Sequence, residues 1–172
     1  MLIDSKEDVI RNNLSVLVGM PFKSIGRVGD LVWLGFGEYV SHTNLKGNTV
    51  TTSKYAIHIQ CAFRIINPTQ IILSNLDIYT ENSKTAWSED FNWDVSGANL
   101  FDERAKELME IISEDNICVV AVMANECGDL QIILSNKCII EVFVNLSSND
   151  ECWRFFETGT EKEHFVVTGQ GI

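Results

Sequence analysis

The chain has 172 residues, with 24 acidic against 13 basic side chains, a net charge of -11 and an isoelectric point near 4.6. A surface of that sign repels phosphate backbones and anionic lipid, so nucleic acid and membrane are excluded as expected partners, while a basic protein is one it would steer. An apolar content of 45% and a mean hydropathy of +0.05 exclude a disordered chain and supply a core for one domain over residues 1–172.

The expected elements begin with a short amphipathic helix over residues 5–17. Val9, Leu14, Val16 and Leu17 lie roughly at helical spacing, Asp4 or Ser5 can cap, and Glu7 and Asp8 suit its positive end. Gly19, Pro21, Gly26 and Gly29 then read as turn residues. A strand is expected over 31–36, a polar hairpin excursion over 38–53, and a long strand over 55–66. In that strand Tyr55, Ile57, Ile59, Cys61 and Phe63 share one face, and Ala56, His58, Gln60, Ala62 and Arg64 the other. The turn Asn67-Pro68-Thr69 implies an antiparallel partner strand over 70–79.

Residues 81–98 form a long polar loop holding Trp87, Asp90, Trp93 and Asp94. Asn99 is positioned to cap a helix over 100–113, with Phe101, Ala105, Leu108 and Ile112 as the apolar stripe and Asp102, Glu103, Glu107 and Glu110 as an acidic outer face. Strands are expected over 117–124, 130–135, 138–144, 151–157 and 164–168, with tight turns at Gly128-Asp129 and Asn136-Lys137. The fold class is α+β: antiparallel sheet with two helices.

A short pattern recurs in the two halves, 1–80 and 99–172. Val28-Gly29-Asp30-Leu31 matches Cys127-Gly128-Asp129-Leu130, His58 matches Glu141, and Phe63-Arg64 matches Trp153-Arg154. The Leu31-to-His58 spacing equals the Leu130-to-Glu141 spacing only if the sixteen residues 38–53 are an insertion in the first half. A pseudo-repeat of two halves is therefore open as an architecture.

Two constellations carry chemistry. The loop of Trp87, Asp90, Trp93 and Asp94 joins aromatic contact area to carboxylates and suits a basic partner, the alternative being that its indoles fold back onto the core. His58, Arg64 and Glu141 are expected on one sheet face, where they would bind a small ligand or run acid–base chemistry; the alternative is an Arg64–Glu141 pair of purely structural use. His58 and Cys61, three apart on a strand, point to opposite faces and make no nucleophile–base pair. His42, His58 and His164 have no metal-ligand spacing, and no phosphate loop follows a strand, so neither a metal nor a cofactor is expected.

Five cysteines, an odd number without a Cys-x-x-Cys, read as free thiols in a reducing compartment. With no signal-peptide pattern and no long apolar run, a cytoplasmic location is expected. The last strand is a candidate edge strand, so monomer and homodimer both stay open. The segments Tyr55-Ala-Ile-His-Ile-Gln-Cys-Ala-Phe-Arg64, Asn99-Leu-Phe-Asp-Glu-Arg104 and His164-Phe-Val-Val-Thr-Gly169 resemble a set of small standalone bacterial proteins without an established activity. That resemblance implies a bacterial cytosolic origin and carries over no catalytic residue. The functional expectation is a binding protein, immunity- or inhibitor-like, for a basic partner. The alternative is a small-molecule-binding protein or enzyme using the His58/Arg64/Glu141 face.

Overall fold

The computed structural model describes residues 5–84 and 89–172, so Asp4 and Trp87 lie outside the described residues. Helix α1 (Lys6–Leu14) is capped by Ser5, whose Oγ accepts the Asp8 amide at 3.1 Å, and tightens into a 3-10 turn at Ser15–Leu17. Its buried residues are Ile10, Leu14 and Leu17, while Val16, expected on the stripe, is exposed. The tighter last turn moves Leu17, not Val16, beneath Leu14.

Strands β1 (Phe22–Val28), β2 (Leu31–Thr43) and β3 (Thr49–Ile59) form a meander. Gly26 sits inside β1 rather than in a turn, because the Trp33 indole opposite lies across it. A Cβ there would come within 2.3 Å of Trp33 Cζ2. The hairpin excursion is the outer part of β2 and β3, closed by a turn at residues 44–48 in which Gly47 takes φ +79.

Next come β4 (Ala62–Ile66) and β5 (Ile71–Ser74). The expected strand over 70–79 stops at Ser74, where the Ser74 amide donates to Asp77 Oδ2 at 2.7 Å and a 3-10 turn runs over Asn75–Tyr79. Helix α2 (Leu100–Asp115) is capped by Asn99, whose Oδ1 accepts the Asp102 amide at 2.9 Å. Strands β6 (Val119–Ala124), β7 (Leu130–Leu134), β8 (Ile139–Phe143), β9 (Glu151–Glu157) and β10 (Phe165–Thr168) complete an α+β fold.

The two antiparallel sheets have the orders β1-β2-β3-β9-β10 and β5-β4-β8-β7-β6. Each half of the chain therefore gives a three-stranded meander to one sheet and a hairpin to the other. The helices follow the same exchange: α1 packs on β6, and α2 on β1. The recurrent pattern falls at matching places, at the β1–β2 and β6–β7 connections, on β3 and β8, and on β4 and β9. One buried cluster draws residues from both sheets and both helices. Neither half holds a complete sheet, and separating them would break the β3–β9 and β4–β8 ladders.

The candidate ligand cleft

The expected strand over 55–66 is two strands in two sheets. The chain leaves the first sheet at Gln60, whose amide donates to the Cys152 carbonyl at 2.8 Å, and enters the second at Ala62. Period-2 alternation persists through the corner because the same face meets the core on both sides: Ile57, Ile59, Cys61, Phe63 and Ile65 are all buried. His58 and Arg64 consequently lie on the outer faces of different sheets. The expected His58/Arg64/Glu141 constellation is not assembled.

Arg64 and Glu141 do meet, as direct cross-strand partners. Arg64 Nε donates to Glu141 Oε2 at 2.5 Å, and Gln131 Nε2 donates to Oε1 at 3.0 Å. Glu141 is buried, so these bonds are what make its charge tolerable there. The triplet Gln131, Glu141 and Arg64 spans β7, β8 and β4 as a closed structural network.

Its counterpart in the first sheet is Trp33, His58 and Arg154 across β2, β3 and β9. This triplet is open. Arg154 turns to Glu151, donating from Nε at 2.6 Å and from Nη2, and its Nη1 lies 3.3 Å from His164 Nδ1. The His58 ring meets Phe156 edge-on at 4.8 Å and makes no hydrogen bond among the described residues. Burial, then the neighbouring Arg154 charge, pushes the His58 pKa below its ordinary value. The ring is neutral near pH 7, so its two nitrogens are one donor and one acceptor.

Beside this row lies another, Ser24–Gly35–Ala56–Phe156, in register across β1, β2, β3 and β9. Three of its four members have almost no side chain, and that missing volume is the floor of a cleft of about 480 Å³. A Cβ on Gly35 would stand 2.2 Å from Ser24 Oγ and 2.5 Å from Ser53 Oγ, so the two hydroxyls, 3.2 Å apart, close over Gly35 and make the floor there. Trp33, His58 and Phe156 wall one side. The long β2–β3 arm brings Tyr39, His42 and Thr52 over the other.

That second wall is held from below. Thr52 Oγ1 donates to Thr158 Oγ1 at 3.3 Å, and Thr158 Oγ1 donates to the Ser53 carbonyl at 2.7 Å. His42 Nε2, 3.0 Å from Thr52 Oγ1, is left as the donor to it. Gly159, at φ +69, makes room for His42, because a Cβ there would lie 2.6 Å from the His42 Cβ.

Of the expected loop residues that are described, Trp93 turns into the fold while Asp90 and Asp94 stay exposed. Trp93 is half-buried, its ring 5.2 Å from Tyr79, and its carbonyl accepts from Asn99 Nδ2 at 2.8 Å and Arg27 Nη2 at 3.2 Å. Asp94 is exposed and lies 3.8 Å from Arg27 Nη1; Asp90 is exposed in a turn. Two members of the expected acidic outer face of α2 are also engaged. Asp102 is hydrogen-bonded to Arg27, and Glu103 is buried against the Ser83 amide and hydroxyl.

Sequence reasoning found His58 but missed Trp33, Gly35, His42 and Phe156. Glycine inside an otherwise apolar strand, opposite alanine and serine, is the signal for the floor. The walls have no such signal, since they come from distant strands. Among the described residues no three His, Cys, Asp or Glu side chains gather as a metal site, and no helix is long and apolar enough to cross a membrane. Comparison with protein-family models, curated proteins and solved structures gave no match.

Proposed function

We propose that this protein binds a small molecule in the cleft on the outer face of its first sheet. The observation that carries the reading is His58, an imidazole without a hydrogen bond among the described residues, in a depression walled by aromatic rings. Concave, mostly apolar sites with a few convergent polar groups are the usual form of a ligand site. The equivalent position in the second sheet is closed by Arg64, Glu141 and Gln131, so the opening is not a by-product of the topology.

The test is a thermal-shift screen of a small-molecule library against the wild type, His58→Ala and Trp33→Ala. A ligand at 100 times its Kd stabilises by about 2.7 kcal/mol, which raises Tm by roughly 5–10 °C in a chain of this size. Compounds that stabilise the wild type and neither variant support the reading. Stabilisation retained in both variants refutes it.

A second reading, a basic protein partner, is favoured by one observation. The last turns of α2 carry Glu110, Glu114 and Asp115, all exposed, and no basic residue occupies the last turn. Carboxylates at the negative end of a helix are unfavourable for the isolated chain, and a cationic surface would relieve them. This reading expects salt-sensitive association that weakens in Glu114→Lys and Asp90→Lys. Unchanged affinity in both would exclude that surface.

A further inference from the structure

We propose that the cleft takes an uncharged planar ring bearing a hydrogen-bonding substituent, laid on the Ser24–Gly35–Ala56 floor with the substituent toward His58. The inference rests on the cleft being a ligand site and specifies its chemistry.

Shape comes first. The floor is a flat run of small residues between Trp33 and the β2–β3 arm, a slot that suits a flat body.

Charge comes next. Among the described residues, no Lys, Arg, Asp or Glu lines the cleft. An anion seated toward His58 would be desolvated without a cation there, since Arg154 is matched by Glu151 and the Lys23 ammonium stands over the Tyr39 ring on the opposite wall. A cation would find no carboxylate. It would find no open aromatic cage either, because His164 stacks on Phe156 at 4.3 Å and Lys23 Nζ stands 6.0 Å over the Tyr39 ring.

Polyols are disfavoured by the inventory of polar groups. Among the described residues, the lining has no amide or carboxylate side chain. Several of its hydroxyls already bond one another, Ser24 with Ser53 at 3.2 Å and Thr52 with Thr158. What remains for a ligand is an apolar slot with the donor and acceptor of the His58 imidazole, and on the opposite wall the Tyr39 hydroxyl and the second ring nitrogen of His42.

The experiment titrates the ¹⁵N-labelled full chain with four probes: benzamide, benzoate, tetramethylammonium and methyl glucoside. Benzamide should shift the Gly35 amide and the His58 ring resonances in a saturable way, with benzoate at least about tenfold weaker. Ala56→Leu, which raises the floor from a strand position that tolerates a side chain, should weaken benzamide about tenfold or more while leaving the far-ultraviolet spectrum unchanged. Equal or tighter binding of benzoate, tetramethylammonium or the glucoside at the same resonances would overturn the ligand class and leave the cleft a ligand site. Benzamide binding indifferent to Ala56→Leu would overturn the placement on the floor. No shift from any of the four probes would overturn the cleft as a ligand site and the class with it.

Discussion

Arg27→Met is the substitution whose cost the structure fixes best. The Arg27 side chain is only 7% exposed, yet every polar atom of it is used. Nε and Nη2 donate to the two Asp102 oxygens at 2.8 and 2.9 Å, and Nη1 donates to the Gly29 carbonyl at 2.9 Å. Nη2 also reaches the Trp93 carbonyl at 3.2 Å. One side chain thus ties β1 to the start of α2 and to the loop before it. Methionine keeps the apolar stem and removes every donor. Taking one partner from a buried pair costs about 3–5 kcal/mol, because the other charge is left unpaired. Asp102 would retain the Gly97 amide at 2.7 Å and is 18% exposed, which places the cost near the lower end, about 3 kcal/mol. With a urea slope of about 2 kcal/mol per molar, the unfolding midpoint should fall by roughly 1.5 M. Arg27→Met/Asp102→Leu should recover about half of that, since the stranded carboxylate is gone. A single-variant cost under about 1 kcal/mol, the worth of an exposed ion pair, would refute the reasoning.

Gly35→Ala should destabilise by about 1–3 kcal/mol in urea denaturation, because its Cβ has to part Ser24 from Ser53; an unchanged midpoint would mean that the floor is not as tight as described. The depressed His58 pKa sets the sign of a pH effect. As pH falls through about 6.5 the unfolded chain takes up the proton first, so stability is lost until the folded imidazole is also protonated. The stability difference between wild type and His58→Gln, followed from pH 8 to 5, should therefore move against the wild type on acidification. Thiol labelling at pH 8 should reach the exposed Cys127 first and Cys61 last. Burial pushes the Cys61 pKa up to about 12, and early labelling of Cys61 by mass spectrometry would show that the sheet corner opens.

Local signals were enough for much of the architecture. Both helices are announced by their caps, Ser5 and Asn99, because capping is satisfied within one turn. The five strands after α2 are marked by alternation and by tight turns, which are properties of adjacent residues. The recurrence of Gly-Asp-Leu and of aromatic-Arg falls at corresponding connections and strands of the two halves, although it could not say that the halves exchange strands. Departures arose where a longer-range contact overrode the local pattern. Gly26 belongs to a strand because Trp33 needs its missing side chain, and the strand over 70–79 ends early at a Ser74–Asp77 cap.

The sequence by itself determined which face of each strand is apolar, since alternation is enforced by the backbone. It could not determine that the run over 55–66 turns a corner, because both sheets bury the same face and the alternation passes through unbroken. That corner separates His58 from Arg64 and Glu141. It leaves the carboxylate closed by its neighbours and the imidazole open beside a floor of Ser24, Gly35 and Ala56. Those three residues are brought into register only by the pairing of β1, β2 and β3, a relation between strands that no single stretch of chain encodes.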